Sequence, residues 1–390
     1  MSFERTDRTA QRRSRIIRWG VLGVILAAIT GIFLAHQLVA GSGKPPGVDA
    51  LCPFGGVETL FSLIAGAGFI EKTAASAVVL LGGMVAVALL FRRSFCGQIC
   101  PFGALQGLFG SLGGKFFRTR PQIPRGVDRF ARYLKYAVLA FFAVWTWQAA
   151  TLVMRPYDPW VAFAHLTTDE LLTELGVGLA VLGVSLAGSL VYERFFCKYL
   201  CPTGALLGFF SKLSAFGIRR DATACTDCKA CDKACPMNIS VSTADKVTAS
   251  ECISCNECVN VCPAAGALEV KSPSGRSVSP AVMTGLVVAV TVIIIGASTA
   301  AGAFAWKMPS LSEAVEQSGG AQGATFDTTA IKGYMSMTEI SKASGVPEER
   351  FTEKWGVPAG DLGKPMKEIK DQYEFSPDDV KLWVAEELGQ

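Results

Sequence analysis

The chain has 390 residues, 50% of them apolar and only 18% charged, with a mean hydropathy of +0.36 and a formal net charge of +4. A soluble protein of this size carries about a quarter charged residues and lacks apolar runs of membrane length, so a purely soluble enzyme is excluded. Thirteen cysteines stand beside two histidines, His36 and His165. That excludes a multi-haem b-type cytochrome, which needs paired axial histidines. A disulfide-stapled secreted domain is also excluded, since such scaffolds are short.

In chain order, a basic tail over residues 1–18, with six arginines, leads into an apolar run at Trp19–Ala40. This run is about twice the length of a signal-peptide core, and no small-x-small cleavage site follows promptly. It is expected to be an uncleaved anchor helix. Four further runs, Thr73–Phe91, Tyr133–Val153, Leu171–Tyr192 and Pro280–Ala305, are also of membrane length, since crossing a core of about 30 Å takes roughly 20 helical residues. Val57–Phe69 is too short to span and reads as an interfacial or re-entrant helix.

Charge orients these crossings. Arg92–Lys135 holds nine Lys/Arg against Asp128 alone, and Tyr192–Ser279 holds ten. The connections Gly41–Lys72 and Met154–Glu170 hold three between them. Basic segments stay in the cytoplasm, which places the N-terminus inside and the C-terminus outside a bacterial-type inner membrane. The expected fold is mainly α. Residues 19–220 form a membrane domain with four transmembrane helices, and 221–275 a cytoplasmic ferredoxin-like α+β domain. Residues 280–305 form the fifth helix, 306–324 a Ser/Gly/Gln-rich linker and 325–390 an acidic, extracytoplasmic helical domain. No nucleic-acid contact is read from the basic segments, which act as topology signals with some attraction to anionic lipid.

Repeats subdivide the chain. Phe95-Cys96-Gly97-Gln98-Ile99-Cys100-Pro101-Phe102-Gly103-Ala104-Leu105 recurs 101 residues later as Phe196-Cys197-Lys198-Tyr199-Leu200-Cys201-Pro202-Thr203-Gly204-Ala205-Leu206. A partial third copy, Leu51-Cys52-Pro53-Phe54-Gly55-Gly56, lies in an outer connection. The two full copies each follow a helix that enters the cytoplasm, so they are parallel repeats about an axis along the membrane normal. The C-terminal domain repeats at an offset of 29: Met337-Thr338-Glu339-Ile340 matches Met366-Lys367-Glu368-Ile369, and Val346 and Phe351 match Phe375 and Val380.

Cys225-x2-Cys228-x2-Cys231-x3-Cys235-Pro236 is followed by Cys252-x2-Cys255-x2-Cys258-x3-Cys262-Pro263. Three cysteines three residues apart supply three corners of an iron–sulfur cube, and the fourth of each run ligates the other cluster. Cys225, Cys228, Cys231 and Cys262 therefore form one [4Fe–4S] site, and Cys252, Cys255, Cys258 and Cys235 the second. Zinc also takes four-cysteine sites, but zinc ribbons rarely show this tandem three-plus-one spacing. Cys96, Cys100, Cys197 and Cys201, brought together about the repeat axis, offer four more thiolates. Pro101 and Pro202 suit the first turn of a following helix, whose dipole favours an anionic cluster, and Gly103 and Gly204 permit close backbone approach. A third [4Fe–4S] cluster and reduced structural cysteines are both open readings.

These motifs together resemble the NapH/NosR-type polyferredoxin membrane proteins, quinol dehydrogenase components, over roughly Trp19–Ala305. The resemblance implies electron transfer between the quinone/quinol pool and a redox partner, such as other subunits of a membrane complex, through iron–sulfur clusters. It makes the chain an oxidoreductase subunit. An electron-donating assembly or maturation factor for another metalloenzyme is the alternative, and a structural anchor that docks a soluble partner is a third reading.

Cys52 remains outside this scheme. By topology it sits about a membrane thickness from the other twelve, too far for one electron hop, so a transmembrane path needs a further acceptor near the outer face. Cys52, His36, His165 and Asp158 all fall there. They suit a quinol pocket, with His165 or Asp158 taking protons, or a haem or metal held through His36 or Cys52. The plain reading is a loop histidine, an interfacial histidine and a buried apolar thiol.

Overall fold

A computed structural model describes residues 7–39, 44–64, 75–117, 123–149, 153–168, 170–307, 328, 331 and 333–388. Its principal helices are α1 (Arg8–Leu38), α2 (Pro53–Ile64), α3 (Ala75–Phe91), α4 (Ser94–Gln98), α5 (Pro101–Phe116), α6 (Leu134–Ala149), α7 (Pro159–Ala164), α8 (Gly176–Val191), α9 (Phe195–Tyr199) and α10 (Pro202–Phe210). A small antiparallel sheet, β1 (Gly217–Arg220), β2 (Leu268–Lys271) and β3 (Ser277–Val278), precedes α11 (Pro280–Ala300). The C-terminal region adds α12 (Met337–Ser344), α13 (Glu348–Trp355), α14 (Met366–Ile369) and α15 (Pro377–Glu387).

The chain is mostly helical with a ferredoxin segment, as expected, but the membrane layout differs in detail. Among the described residues, only α1 and α11 are both long and apolar enough to span a bilayer. Helices α3, α6 and α8 have 17, 16 and 16 residues, about 24–26 Å of rise. Arg92 ends α3 with left-handed backbone (φ 62°), while α8 ends at the extended Tyr192 and the left-handed Arg194 (φ 63°) opens the short α9. The first parts of the second span, the last of the third, and nearly all of the 306–324 linker fall outside the described residues. The basic tail is helical from Arg8 and continuous with the first apolar run. Its side chains are engaged: Gln11 donates to the Cys262 carbonyl (2.8 Å), and Arg15 and Arg18 pair with Glu257 (3.0 and 2.8 Å).

Two compact units result, Met1–Gly31 with Val48–Phe304, and Ile32–Gly47 with Ala305–Gln390. In the first unit, glycines let helices close on one another, the usual device of helix packing in membranes. A side chain at Gly56 of α2 would strike the Ala77 carbonyl of α3, and one at Gly113 of α5 the Leu190 carbonyl of α8. The sheet is short, with β1 pairing β2 from Gly217↔Lys271 to Arg220↔Leu268. In the second unit, the 29-residue repeat becomes a single core. Met337, Ile340, Val346 and Phe351 pack with their partners Met366, Ile369, Phe375 and Val380. Capping boxes at Ser336/Glu339 and Ser376/Asp379 start α12 and α15, satisfying amides left open by the first turn.

Candidate metal centres

The two ferredoxin runs fold alike, and the likeness extends to the backbone. Asp227 and Lys229 flank Cys228 with φ of 50° and 55°; Ser254 and Asn256 flank Cys255 with φ of 46° and 58°. Left-handed conformations at non-glycine residues cost of order 1 kcal/mol each. Here they curl each loop so that three sulfurs face one interior. Cys235, Cys252, Cys255 and Cys258 line one cavity with Ile218, Met237 and Ile253. This is the crossed three-plus-one set read from the spacing. Its counterpart also assembles: Cys262 acts electrostatically on Cys231 and is acted on by Cys225 and Cys228. Cys228 is exposed and Cys252, Cys255 and Cys258 are buried, so the first set opens toward solvent.

Burial pushes the Cys255 thiol up to about 11 and that of Cys235 to about 12. Buried thiols at such values stay protonated at neutral pH, and ligation to a metal centre is what ionises them. Among the described residues, no group of three Cys, His, Asp or Glu side chains closes around a single ion. A mononuclear thiolate site needs sulfurs about 3.8 Å apart, given Zn–S bonds of about 2.3 Å. Cys235, Cys252, Cys255 and Cys258 bring four thiols to one cavity, the ligand number a cubane takes.

The repeated Cys-x3-Cys-Pro motifs converge as well. Cys96, Cys100, Cys197 and Cys201 interact electrostatically and are enclosed by the fold. Pro101 and Pro202 open α5 and α10, and the Cys100 and Cys201 sulfurs accept from the Gly103 and Gly204 amides (3.4 and 3.2 Å). Each motif therefore caps its own helix with a cysteine, where the helix dipole favours negative charge. Gln106 donates to the Cys197 sulfur (3.3 Å) and accepts from the Phe196 amide (3.0 Å).

Two arginines complete this chamber by crossing between the repeats. Arg93 and Arg194 occupy equivalent positions, three residues before Cys96 and Cys197. Arg194 donates to the Cys96 carbonyl and lies against Gly103; Arg93 lies against Gly204. A side chain at either glycine would collide with the guanidinium from the other repeat. Both arginines are buried, and Nε and Nη2 of Arg93 and Nε of Arg194 have no hydrogen-bond partner. Buried N–H groups left without an acceptor are costly, and a thiolate-ligated cluster, net anionic, is a group whose charge and acceptors fit them. Arg93 is further held by Glu251 (3.4 Å), both of whose carboxylate oxygens accept from Lys135 Nζ (2.5 and 2.6 Å). The basic residues are thus more than topology signals: Arg92, Arg93, Lys135, Arg194 and Lys198 are almost wholly buried.

This chamber abuts the second cysteine set. Gly97 packs on the Ile253 carbonyl, Gln98 donates to the Ser254 carbonyl (2.7 Å), and Cys96, Cys235 and Cys255 share one apolar core with Ile253 and Met237. Cys258 and Cys231, one from each ferredoxin set, also interact. The second set thus borders both of the others.

Of Cys52, His36, His165 and Asp158, the structure brings Cys52 and Asp158 together. The Cys52 thiol donates to Asp158 Oδ2 (3.2 Å), and Asp158 Oδ1 caps α7 by accepting from the Trp160 amide (2.8 Å). His165 Nδ1 contacts its own helix at the Val161 carbonyl (2.9 Å) and does not line the cavity beside Cys52. His36 Nδ1 contacts the Pro45 carbonyl (2.7 Å) in the other compact unit. Glu58, unremarked in the sequence, lines the Cys52 cavity with Asp158. It accepts from the Thr146 hydroxyl (3.1 Å) and the Met154 amide (2.9 Å). Its place as the sole charge of the apolar α2 is the signal that could have drawn attention to it. The expected isolation of Cys52 also softens: the Trp160 ring stands 6.0 Å from Phe102, two residues past Cys100, and Phe102 stands 5.2 Å from Phe196, next to Cys197.

A helical membrane-associated iron–sulfur protein with a tandem ferredoxin segment is the class these features define. The model of a 4Fe-4S binding domain matches residues 73–120 and 175–221, one copy on each Cys-x3-Cys-Pro repeat, and that of a 4Fe-4S dicluster domain matches 217–275. The chain is 33% identical to a putative electron transport protein, YccM of Escherichia coli, over 68% of this chain and 76% of that one. It is 26% identical to the ferredoxin-type protein NapH of E. coli over 64% of this chain and 84% of that one. It is 30% identical to the regulatory protein NosR of Pseudomonas aeruginosa over 41% of this chain and 22% of that one. No solved structure matches it. The chain belongs to the NapH/NosR-type family of membrane ferredoxins and is an iron–sulfur electron-transfer protein.

Proposed function

We propose that this protein exchanges electrons between the membrane quinone pool and a redox partner along a row of three [4Fe–4S] sites. The sites are Cys96/Cys100/Cys197/Cys201, then Cys235/Cys252/Cys255/Cys258, then Cys225/Cys228/Cys231/Cys262. The observation that carries this reading is the crossed assembly of Cys235 with Cys252, Cys255 and Cys258 around one cavity, directly against the Gly97 turn of the repeat chamber. Each cluster, when bound, supplies a one-electron carrier. The protein's residues do the rest: apolar side chains exclude water, Arg93 and Arg194 offset anionic charge, and the exposed edge at Cys228 meets the partner.

The basic segments favour a five-helix topology with the ferredoxin segment in the cytoplasm and residues 325–390 outside. Helices α3, α6 and α8 then cross a locally thin or cleft membrane domain, a mismatch with modest energetic cost. Iron, labile sulfide and EPR of the anaerobically purified chain test the relay. Three clusters give about twelve iron and two give about eight, and addition of a quinol should bleach their visible absorption. Clusters that stay oxidised under quinol but accept electrons from dithionite would point to a different donor.

A further inference from the structure

We propose that Arg18 of α1 is a positioning residue for electron exchange between the repeat chamber and the buried ferredoxin set, tying Gly97 to Glu257 and placing a positive charge beside Cys255. This inference rests on the cluster relay above and gives the basic tail a part in it. Arg18 closes the tail just before the apolar run and is only 5% exposed. Its Nη1 donates to the Gly97 carbonyl (3.4 Å) and its Nη2 to Glu257 Oε1 (2.8 Å). Gly97 follows Cys96 of the chamber, and Glu257 lies between Cys255 and Cys258 of the ferredoxin set. One guanidinium therefore spans the junction at which the Gly97 turn packs on Ile253 and Cys255.

The fold holds this group from several sides. The guanidinium stands over the Trp19 ring (5.3 Å to the centroid), and Trp19 fills the space left by Gly107 of α5. One and two turns earlier, Arg15 pairs with the other Glu257 oxygen (3.0 Å) and Gln11 donates to the Cys262 carbonyl (2.8 Å). Nε of Arg18 is buried with no hydrogen-bond partner, and the guanidinium acts electrostatically on Cys255. An unpaired buried N–H is costly, and an anionic cluster on Cys235, Cys252, Cys255 and Cys258 supplies charge and acceptors to offset it. Exchange moves one electron from one cluster to the other, with no bond made and no proton transferred. Electron uptake adds negative charge, so a fixed cation beside Cys255 favours reduction of the buried set.

The test is an EPR-monitored redox titration of the full chain, loaded with its clusters, in lipid nanodiscs, with iron and sulfide counted for every variant. Arg18→Gln should lower the equilibrium constant for one-electron reduction of the buried ferredoxin cluster about tenfold, or about 59 mV. The other two clusters should shift less. Glu257→Gln keeps an oxygen for Arg18 to bond but removes an opposing negative charge, so it should raise the same constant about threefold. A purely structural clasp would be loosened by both variants and would shift the potential in one direction. Arg18→Lys should recover most of the tenfold change, and Arg15→Gln, at a solvent-screened site, should change it less than about twofold. An unchanged potential in Arg18→Gln, or shifts of the same sign in Arg18→Gln and Glu257→Gln, overturns the role of Arg18 while leaving the relay standing. Should Arg18→Gln lose the buried cluster, Glu257→Gln decides: a rise supports the role, and a fall or no change overturns it. A parent chain that holds no cluster on Cys235, Cys252, Cys255 and Cys258 overturns both.

Discussion

Replacing Arg93 by Gln gives a measurable consequence of the crossed arginines. Arg93 is fully buried with Nε and Nη2 unpaired, its guanidinium lies against Gly204, and its electrostatic partners include Cys96, Cys197 and Cys201. A unit charge about 6 Å from a cluster, at an effective dielectric constant of about 20, is worth about 2.8 kcal/mol. For a one-electron couple that is about 120 mV, at about 59 mV per tenfold. Reduction adds negative charge, so loss of the cation makes it harder, and the midpoint potential of the repeat-chamber cluster should fall by about 120 mV. Glu251 stays paired in the variant because Lys135 holds both its oxygens (2.5 and 2.6 Å), which limits collateral damage. The assay is an EPR-monitored redox titration of the purified protein. The two ferredoxin clusters, farther from Arg93, serve as internal references and should move much less. Arg93→Lys should recover most of the shift by restoring the charge. An unchanged potential in Arg93→Gln, with the third cluster signal intact, would refute the electrostatic role given to Arg93.

Cys235→Ser should remove the cluster of the buried ferredoxin set and spare that of Cys225, Cys228, Cys231 and Cys262. Total iron should drop by about four per chain, and loss of the other EPR signal instead would reverse the crossed pairing. Gly97→Ala drives a methyl into the Ile253 carbonyl and should destabilise that contact by about 1–3 kcal/mol, read as faster cluster loss on warming; a gain in stability contradicts the close approach. Phe351→Ala empties the centre of the C-terminal core, where Trp383 packs on the ring at 4.9 Å. It should cost about 3–5 kcal/mol, seen as protease sensitivity confined to residues 333–388, with iron content unaltered.

Much of the site is legible in one dimension because cubane ligation is a local code. A loop of three cysteines can wrap a cluster only at tight spacing, so Cys225–Cys231 and Cys252–Cys258 announce themselves. The crossed fourth ligands follow from the same spacing, and the shared cavity of Cys235 with Cys252, Cys255 and Cys258 agrees with it. Repetition likewise exposes the Cys-x3-Cys-Pro pairs and the C-terminal core, where Met337 and Met366, or Phe351 and Val380, meet in one apolar cluster. Helix lengths were less legible. An apolar run shows where a helix is tolerated in lipid, while the left-handed Arg92 and the extended Tyr192 stop it where the chain must turn to bring Arg93 and Arg194 to the cysteines.

Composition, spacing and repetition by themselves marked a membrane-associated chain with eight cysteines in two crossed ferredoxin sets, four in a repeated Cys-x3-Cys-Pro pair and one apart. The tertiary structure decided which charges serve those sets. Arg93 and Arg194 read as two among many inner-face cations, yet folding buries them and exchanges them across the repeat axis, each into the notch left by a glycine of the other copy. The same folding brings Glu58 to Asp158 and Cys52, and Trp160 to Phe102. Cluster ligation depends on near neighbours along the chain, so spacing encodes it. Charge compensation depends on burial and on distances between segments 100 residues apart, which only packing sets.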